Sequence, residues 1–296
     1  MRSVMRDEKL EEQFQRDGYV QIPFISAEEV EALKAKFFEL LPKSGGNILA
    51  SETGVANGHE ITYDFTFIDK SIEFKQKVYD VITEYFKPQV QKWLADYRPI
   101  IANYIRKQNN TGEVPMHQNW AFVDEHKCTS VSIWCPLVDS NEENGTLQIA
   151  PGSHKRFGEV RGPMIPWELD EIKEHIINNH LVPMNLKAGN AVVLDDSVVH
   201  YSAINKTNEL RLAIQLILVP NEVPSIHYHM NGAKSMEVVE VLEVDTDFYM
   251  QFNPWKQPDG AKRINTFNYK PFKVTPQQFD ERLKQPRFDE QSLASV

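Results

Sequence analysis

The chain changes its hydrophobic rhythm near residue 99: before that point apolar residues recur at helical spacing, and after it they come in short runs broken by turn residues. In SAEEVEALKAKFFELL (26–41), Val30, Leu33, Phe37 and Leu41 mark one face, Ser26 is placed to cap the start, and Glu29 follows as the capping-box partner. Residues 7–17 carry a similar pattern, and GYVQIPF between the two predicts a short strand. A third helix is expected from about Ser71 to Tyr97, broken or kinked at Pro88. Beyond it, IIANYIRK, HQNWAFVD, SVSIWCPLV, GTLQIAP, LVPMNLKA, NAVVLDD and LRLAIQLILV predict strands, with NEENG and LKAGN as turns. PWELDEIKEHIINNH (166–180) predicts a helical insertion and PQQFDERLKQ an amphipathic segment. Helices first and strands afterwards predict an α+β, mainly β fold: a double-stranded β-helix, or cupin-like jelly roll, buttressed by N-terminal helices. No repeat or low-complexity linker divides the 296 residues. One domain over 1–296 is therefore expected, with its jelly-roll core at 99–220 and flexible tails at 1–13 and 286–296.

Composition narrows the classes. A formal net charge of −10 argues against nucleic-acid partners, which need a basic face. No run of eighteen apolar residues predicts a membrane span, and the charged N-terminus lacks a signal-peptide apolar core, so a soluble, cytoplasmic protein is expected. Cys128 and Cys135 form neither a disulfide framework nor a zinc motif and are expected as buried free thiols. Oligomeric state is left open.

The chemistry starts from MHQNWAFVDE (116–125). A mononuclear iron site needs two imidazoles and one carboxylate on one face. On a strand, residues i and i+2 project to the same side, so His117 and residue 119 have the right relation, but residue 119 is Asn. His200, after the apolar run AVVLDDSVVH, is the best second histidine, and Arg211, eleven residues on, opens a strand where its planar fork could grip a carboxylate.

Taken as an ordered set, these residues resemble the phytanoyl-CoA dioxygenase family of Fe(II)- and 2-oxoglutarate-dependent oxygenases. FQRDGYVQIPFISAEEVEAL is similar to its helix–strand–helix opening, NGTLQIAPGSHKRF (with Gly145 and His154) to its Pro-Gly-Ser-His turn, and His117, Asn119, His200 and Arg211 to its metal and cosubstrate set. The resemblance implies iron held by His117, Asn119 and His200, 2-oxoglutarate held by Arg211, and O2 as co-reactant. It further implies that Gln118, Trp134, Ser202 and Lys107 line the cosubstrate pocket. His154 reads as a structural turn residue, and His227 and His229, which share a strand face, lack a carboxylate partner. Trp120, Phe122, Trp167 and Tyr201 would suit an apolar or mixed small-molecule substrate.

Asn119 is the departure. Glu125 as a substitute lies about 26 Å away along an extended strand, and Asp195 or Asp196 would need a sharp bend before His200. The expected activity is oxidation, by hydroxylation, of a C–H bond of a metabolite. A family member without turnover that binds a ligand or regulates, and an iron halogenase with an anion at position 119, are the alternatives. Asn119→Asp is expected to raise iron affinity if position 119 faces the metal.

Overall fold

The computed structural model describes residues 2–53, 60–230 and 237–291. Helix α1 (Glu8–Asp17) leads through strand β1 (Tyr19–Pro23) to α2 (Ala27–Leu40), and after β2 (Asp64–Phe65) comes the long α3 (Ile72–Trp93). The β region then runs β3 (Tyr97–Lys107), β4 (Val114–His117), β5 (Val131–Pro136), β6 (Gln148–Ile149), α4 (Lys173–Asn179), β7 (Val182–Pro183), β8 (Asn190–Asp195), β9 (His200–Ser202) and β10 (Arg211–Pro220). β11 (Ser225–Met230), β12 (Val238–Val244), α5 (Thr246–Gln251), β13 (Lys262–Asn268), α6 (Pro276–Arg282) and α7 (Phe288–Gln291) follow.

The strands form a large sheet, β1-β8-β5-β10-β3-β2, a small sheet, β4-β9-β6-β7, and a β11-β12-β13 sheet. Alternation along the large sheet separates its two faces. Ala102 and Tyr104 of β3, Ile133 and Cys135 of β5, and Leu212, Ile214 and Leu216 of β10 pack with the N-terminal helices. Ile101, Asn103, Trp134, Arg211 and Gln215, of the opposite parity, look into a cavity whose other wall includes His117 and His200 of the small sheet. This is the two-sheet jelly roll with helical buttress that the rhythm of the sequence predicts.

The capping box at Ser26 and Glu29 forms as read. Pro88, however, does not break α3, which stays continuous from Ile72 to Trp93. Pro88 sits on the exposed side, while Phe74, Val78, Ile82, Phe86 and Val90 bury one face. A helix-interior proline costs about 3 kcal/mol, and burying five such side chains at roughly 1.5–3 kcal/mol each outweighs it. HQNWAFVD is not a strand beyond its first residue: β4 ends at His117.

The expected tails are also pinned where they are described. Val4 and Met5 are buried, and their N–H groups donate to Glu11 Oε2 at 2.9 and 2.7 Å. Near the other end Phe288 N donates to Lys155 O at 2.9 Å and Arg287 to Gln15 O. Residues 292–296 lie outside the described residues.

A second apolar cluster closes the far side of the cavity, and it contains a histidine. His227 is buried with neither ring nitrogen hydrogen-bonded, among Trp120, Phe248, Tyr249 and Phe252. Burial pushes its pKa down to about 3.

Two measurements test this packing. Phe86 is fully buried and edge-on to Phe24 at 4.8 Å; Phe86→Ala should cost about 3–5 kcal/mol in urea unfolding. Because the folded pKa of His227 lies below the unfolded value of about 6.5, the unfolded chain binds the proton first as pH falls. Stability from this group is thus full above about pH 6.5 and is lost on acidification towards the folded value. His227→Phe should remove about 2–3 kcal/mol of the stability difference between pH 7 and pH 4.5.

Candidate active site

The small sheet sets the two histidines. β4 pairs with β9 so that His117 lies directly opposite His200, and the ring centroids stand 4.2 Å apart. Each ring is oriented by the carbonyl two residues before it: His117 Nδ1 donates to Pro115 O at 2.8 Å and His200 Nδ1 to Val198 O at 2.9 Å. A carbonyl only accepts, so Nδ1 carries the hydrogen and the Nε2 lone pair of each ring is left free, the form in which imidazole binds metal. Burial lowers both pKa values, that of His200 further through the neighbouring His117, so both rings are neutral at pH 7.

Asn119 lies two residues past the strand end, and the loop that carries it is clamped. Arg161 Nε donates to Asn119 O at 2.7 Å, and its guanidinium is in turn held by Glu125 at 2.6 and 2.8 Å. This buried ion pair accounts for Glu125, which is a support of the loop and no substitute ligand. The Asn119 amide nitrogen donates to Asp196 Oδ1 at 2.8 Å and to Ser132 Oγ at 3.0 Å. With the nitrogen engaged behind, the side-chain oxygen is the atom left to face the cavity. Asp196 arrives through the sharp turn after β8, in which Asp195 Oδ1 accepts from Ser197 N at 2.8 Å. Burial pushes the Asp196 carboxyl up to about 7, against hydrogen bonds from Ser132 and Asn119 that favour its charge.

The large sheet contributes Arg211, whose side chain is 1% exposed. Its Nε and Nη1 have no partner, Nη2 reaches Ser202 Oγ at 3.4 Å, and the guanidinium stands 5.8 Å from the centre of the Trp134 ring. Burial pushes its pKa down to about 9, which leaves it protonated at neutral pH. A buried, half-satisfied cation facing a cavity is costly. It calls for an anion.

The cavity, about 250 Å³, is bounded by His117, Asn119, His200 and Arg211 together with Trp134, Ser202, Trp120, Phe122 and Tyr201, all named from the sequence. Gln118 also borders it, but its amide is spent: Nε2 donates to Phe157 O and Ser197 O at 2.9 and 2.6 Å, and Oε1 accepts from Trp167. Trp167 is thus not on the cavity; it packs with Met116, Phe157 and Leu169 and anchors Gln118. Lys107 is likewise behind the wall, its Nζ donating to Ser202 Oγ, Ser202 O and Ala203 O. Gly145, at φ +72°, lets that segment close up, since a Cβ there would stand 2.2 Å from Ala203 O.

Other predicted features fall outside. His154 is a buried turn residue, and Cys128 and Cys135 are buried free thiols. Among the described residues, the one trio of His, Cys, Asp or Glu ligand atoms within 4.8 Å is His175, His180 and Asp280. Both imidazole Nε2 atoms donate to Asp280 Oδ1, at 2.9 and 2.8 Å, and the Asn179 amide meets His175 Nδ1 at 3.4 Å. The trio is a hydrogen-bonded clasp between α4 and α6. Two residues that sequence reading missed are Asn103 and Gln215, register partners on β3 and β10 whose amides meet at 3.2 Å in the cavity wall. The signal was present: each is a lone amide in an otherwise apolar run.

Known proteins resemble this chain in sequence and in fold. A "Phytanoyl-CoA dioxygenase domain-containing protein 1 homolog" of Dictyostelium discoideum is 29% identical over 70% of this chain and 74% of that one. "Phytanoyl-CoA dioxygenase 1" of rice is 33% identical over 40% of this chain and 43% of its own length. Solved structures share the fold: the α-ketoglutarate-dependent carbocyclase SnoK (TM-score 0.57, 20% identity, 75% of this chain and 86% of that one), and the epimerase SnoN in complex with Fe3+, α-ketoglutarate and nogalamycin RO (0.53, 18%, 92% and 96%). Among the described residues no helix is long and apolar enough to cross a membrane. The family model for phytanoyl-CoA dioxygenase matches residues 14–213, and the chain belongs to that family of non-haem Fe(II)/2-oxoglutarate-dependent oxygenases.

Proposed function

We propose that the protein hydroxylates a C–H bond of a small, largely apolar molecule, with His117, Asn119 and His200 holding Fe(II) and Arg211 holding the far carboxylate of 2-oxoglutarate. The observation that carries this reading is the buried Arg211 guanidinium, with Nε and Nη1 unpartnered, in the same cavity as two imidazoles with free Nε2 atoms. The donor set fits the group in its two neutral imidazole nitrogens, which suit iron, with an amide oxygen where the carboxylate usually stands, and a guanidinium fork suits a carboxylate. When bound, iron with 2-oxoglutarate and O2 supplies the oxidising power, and 2-oxoglutarate is consumed to succinate and CO2.

The chain's own residues set the rest. Arg211 orients the cosubstrate, Trp134 and Ser202 flank the guanidinium, and the aromatic wall keeps water from the reacting carbon. Phe67, Trp120, Phe122 and Ile101 make the substrate side apolar, and the Asn103–Gln215 pair offers a site for one hydroxyl or amide, since Asn103 Oδ1 has no partner. Arg211 is the sole lysine or arginine lining the cavity among the described residues, which favours a small metabolite over a CoA thioester. The Asn119 side chain fills the place that a halide would need, which favours hydroxylation over halogenation. Cys128 and Cys135 as free thiols suit a reducing cytoplasm, and 99–220 serves as the site-bearing core of one domain.

Anaerobic titration with Fe(II) and 2-oxoglutarate should develop a visible charge-transfer band from the chelate, and absence of binding by either would refute an oxygenase. Arg211→Met should weaken 2-oxoglutarate binding at least about 30-fold, the lower end of what losing one side of a buried charge pair costs, while leaving Fe(II) affinity within a few-fold.

A further inference from the structure

Asn119 leaves open where the negative charge of a His-x-Asp site has gone. Asp196 stands directly behind it, wholly buried, with Oδ1 accepting from both Asn119 Nδ2 (2.8 Å) and Ser132 Oγ (2.6 Å). We propose that Asp196, with Ser132, is a positioning residue that locks the Asn119 amide with its oxygen towards the metal, so that ligand and carboxylate have exchanged places along one hydrogen bond. The proposal rests on the reading of His117, Asn119 and His200 as ligands.

The hydrogen-bond logic leaves one orientation. The Asp196 oxygen facing Asn119 accepts, and the single Ser132 hydrogen points to Asp196, so Ser132 Oγ also meets Asn119 as an acceptor. Both neighbours demand a donor. The amide NH2 therefore turns inward, and Oδ1 turns to the cavity that His117 and His200 also line. Arg161 holds the same residue's backbone carbonyl, so the side chain cannot escape by moving the loop. Asp196 does not itself complete a trio with the two histidines, since no such group within 4.8 Å includes them among the described residues. Its influence passes through Asn119.

On this arrangement Asn119→Asp alone does not improve the site. An aspartate at position 119 would set two carboxyl groups at hydrogen-bond distance in a buried pocket, where both cannot be ionised together. The repair needs both changes: in N119D/D196N the amide behind donates to the carboxylate in front, which restores the order of a His-x-Asp site with the same atoms in the same volume.

The test measures Co(II) and Fe(II) affinity anaerobically, without turnover, in D196A, N119D, N119D/D196N and H117A/H200A, with urea unfolding of each. D196A should bind metal 10–100-fold more weakly, as loss of a partner behind a ligand does. N119D should gain no affinity and lose stability, whereas N119D/D196N should exceed both N119D and the unmodified protein by about tenfold or more, on the same scale. Unchanged affinity in D196A, or N119D alone matching the double variant, would overturn the role of Asp196. Should D196A fail to fold, the comparison of N119D with N119D/D196N still decides. Metal affinity unaffected in H117A/H200A would instead refute the ligand reading on which the proposal rests.

Discussion

A positive charge held in a cavity with too few partners is the constraint on which the rest of this structure depends. Arg211 is paired through its backbone with Lys107 on one side, and the strand continues against β5 on the other, so its side chain cannot turn to solvent. Ser202 and the face of Trp134 satisfy it only in part. Removing an ion from water costs several kcal/mol, and a carboxylate delivered to the same cavity offsets that cost. An anion in the cavity would complete the partners that the guanidinium lacks.

The two sheets divide the labour. The small sheet supplies the imidazoles, and its register decides their meeting: one residue of slip in β4 would turn His117 away from the cavity. The large sheet supplies the guanidinium and the amide pair from its inner parity, while the outer parity is given to the helices. The helical layer therefore does more than cover the sheet. By burying the outer face it fixes which residues of β3, β5 and β10 must look inward.

Asn119 belongs to neither sheet, and this is why its orientation depends on so many tertiary partners. Arg161 with Glu125 holds its backbone, and Asp196 with Ser132 holds its amide. These supports come from positions as far apart in the chain as Glu125 and Asp196. A neutral amide needs such support more than a carboxylate does, because it presents an acceptor at one end and donors at the other.

Much was legible in the chain because it follows from local chemistry. Helical spacing and the Ser26 capping box gave the buttress, apolar runs and turns gave the strands, and the order of His117, His200 and Arg211 along those strands pointed to the site. What was misread shares a cause. Pro88 survives in α3 because of burial against the sheet, Val4 and Phe288 are pinned by contacts far along the chain (Ala95 N donates to Val4 O and Phe288 N to Lys155 O), and Trp167 and Lys107 turn away to satisfy distant hydrogen bonds. Asp196 looked too sharply bent to matter until the turn set by Asp195 placed it behind Asn119. The sequence by itself determined which residues have the donor chemistry for a metal and a carboxylate, and that His200 and Arg211 ride on strands. Only the tertiary structure decided which polar groups face the cavity and which are spent holding others in place, because hydrogen-bond partners are assigned by proximity in space and not by spacing along the chain.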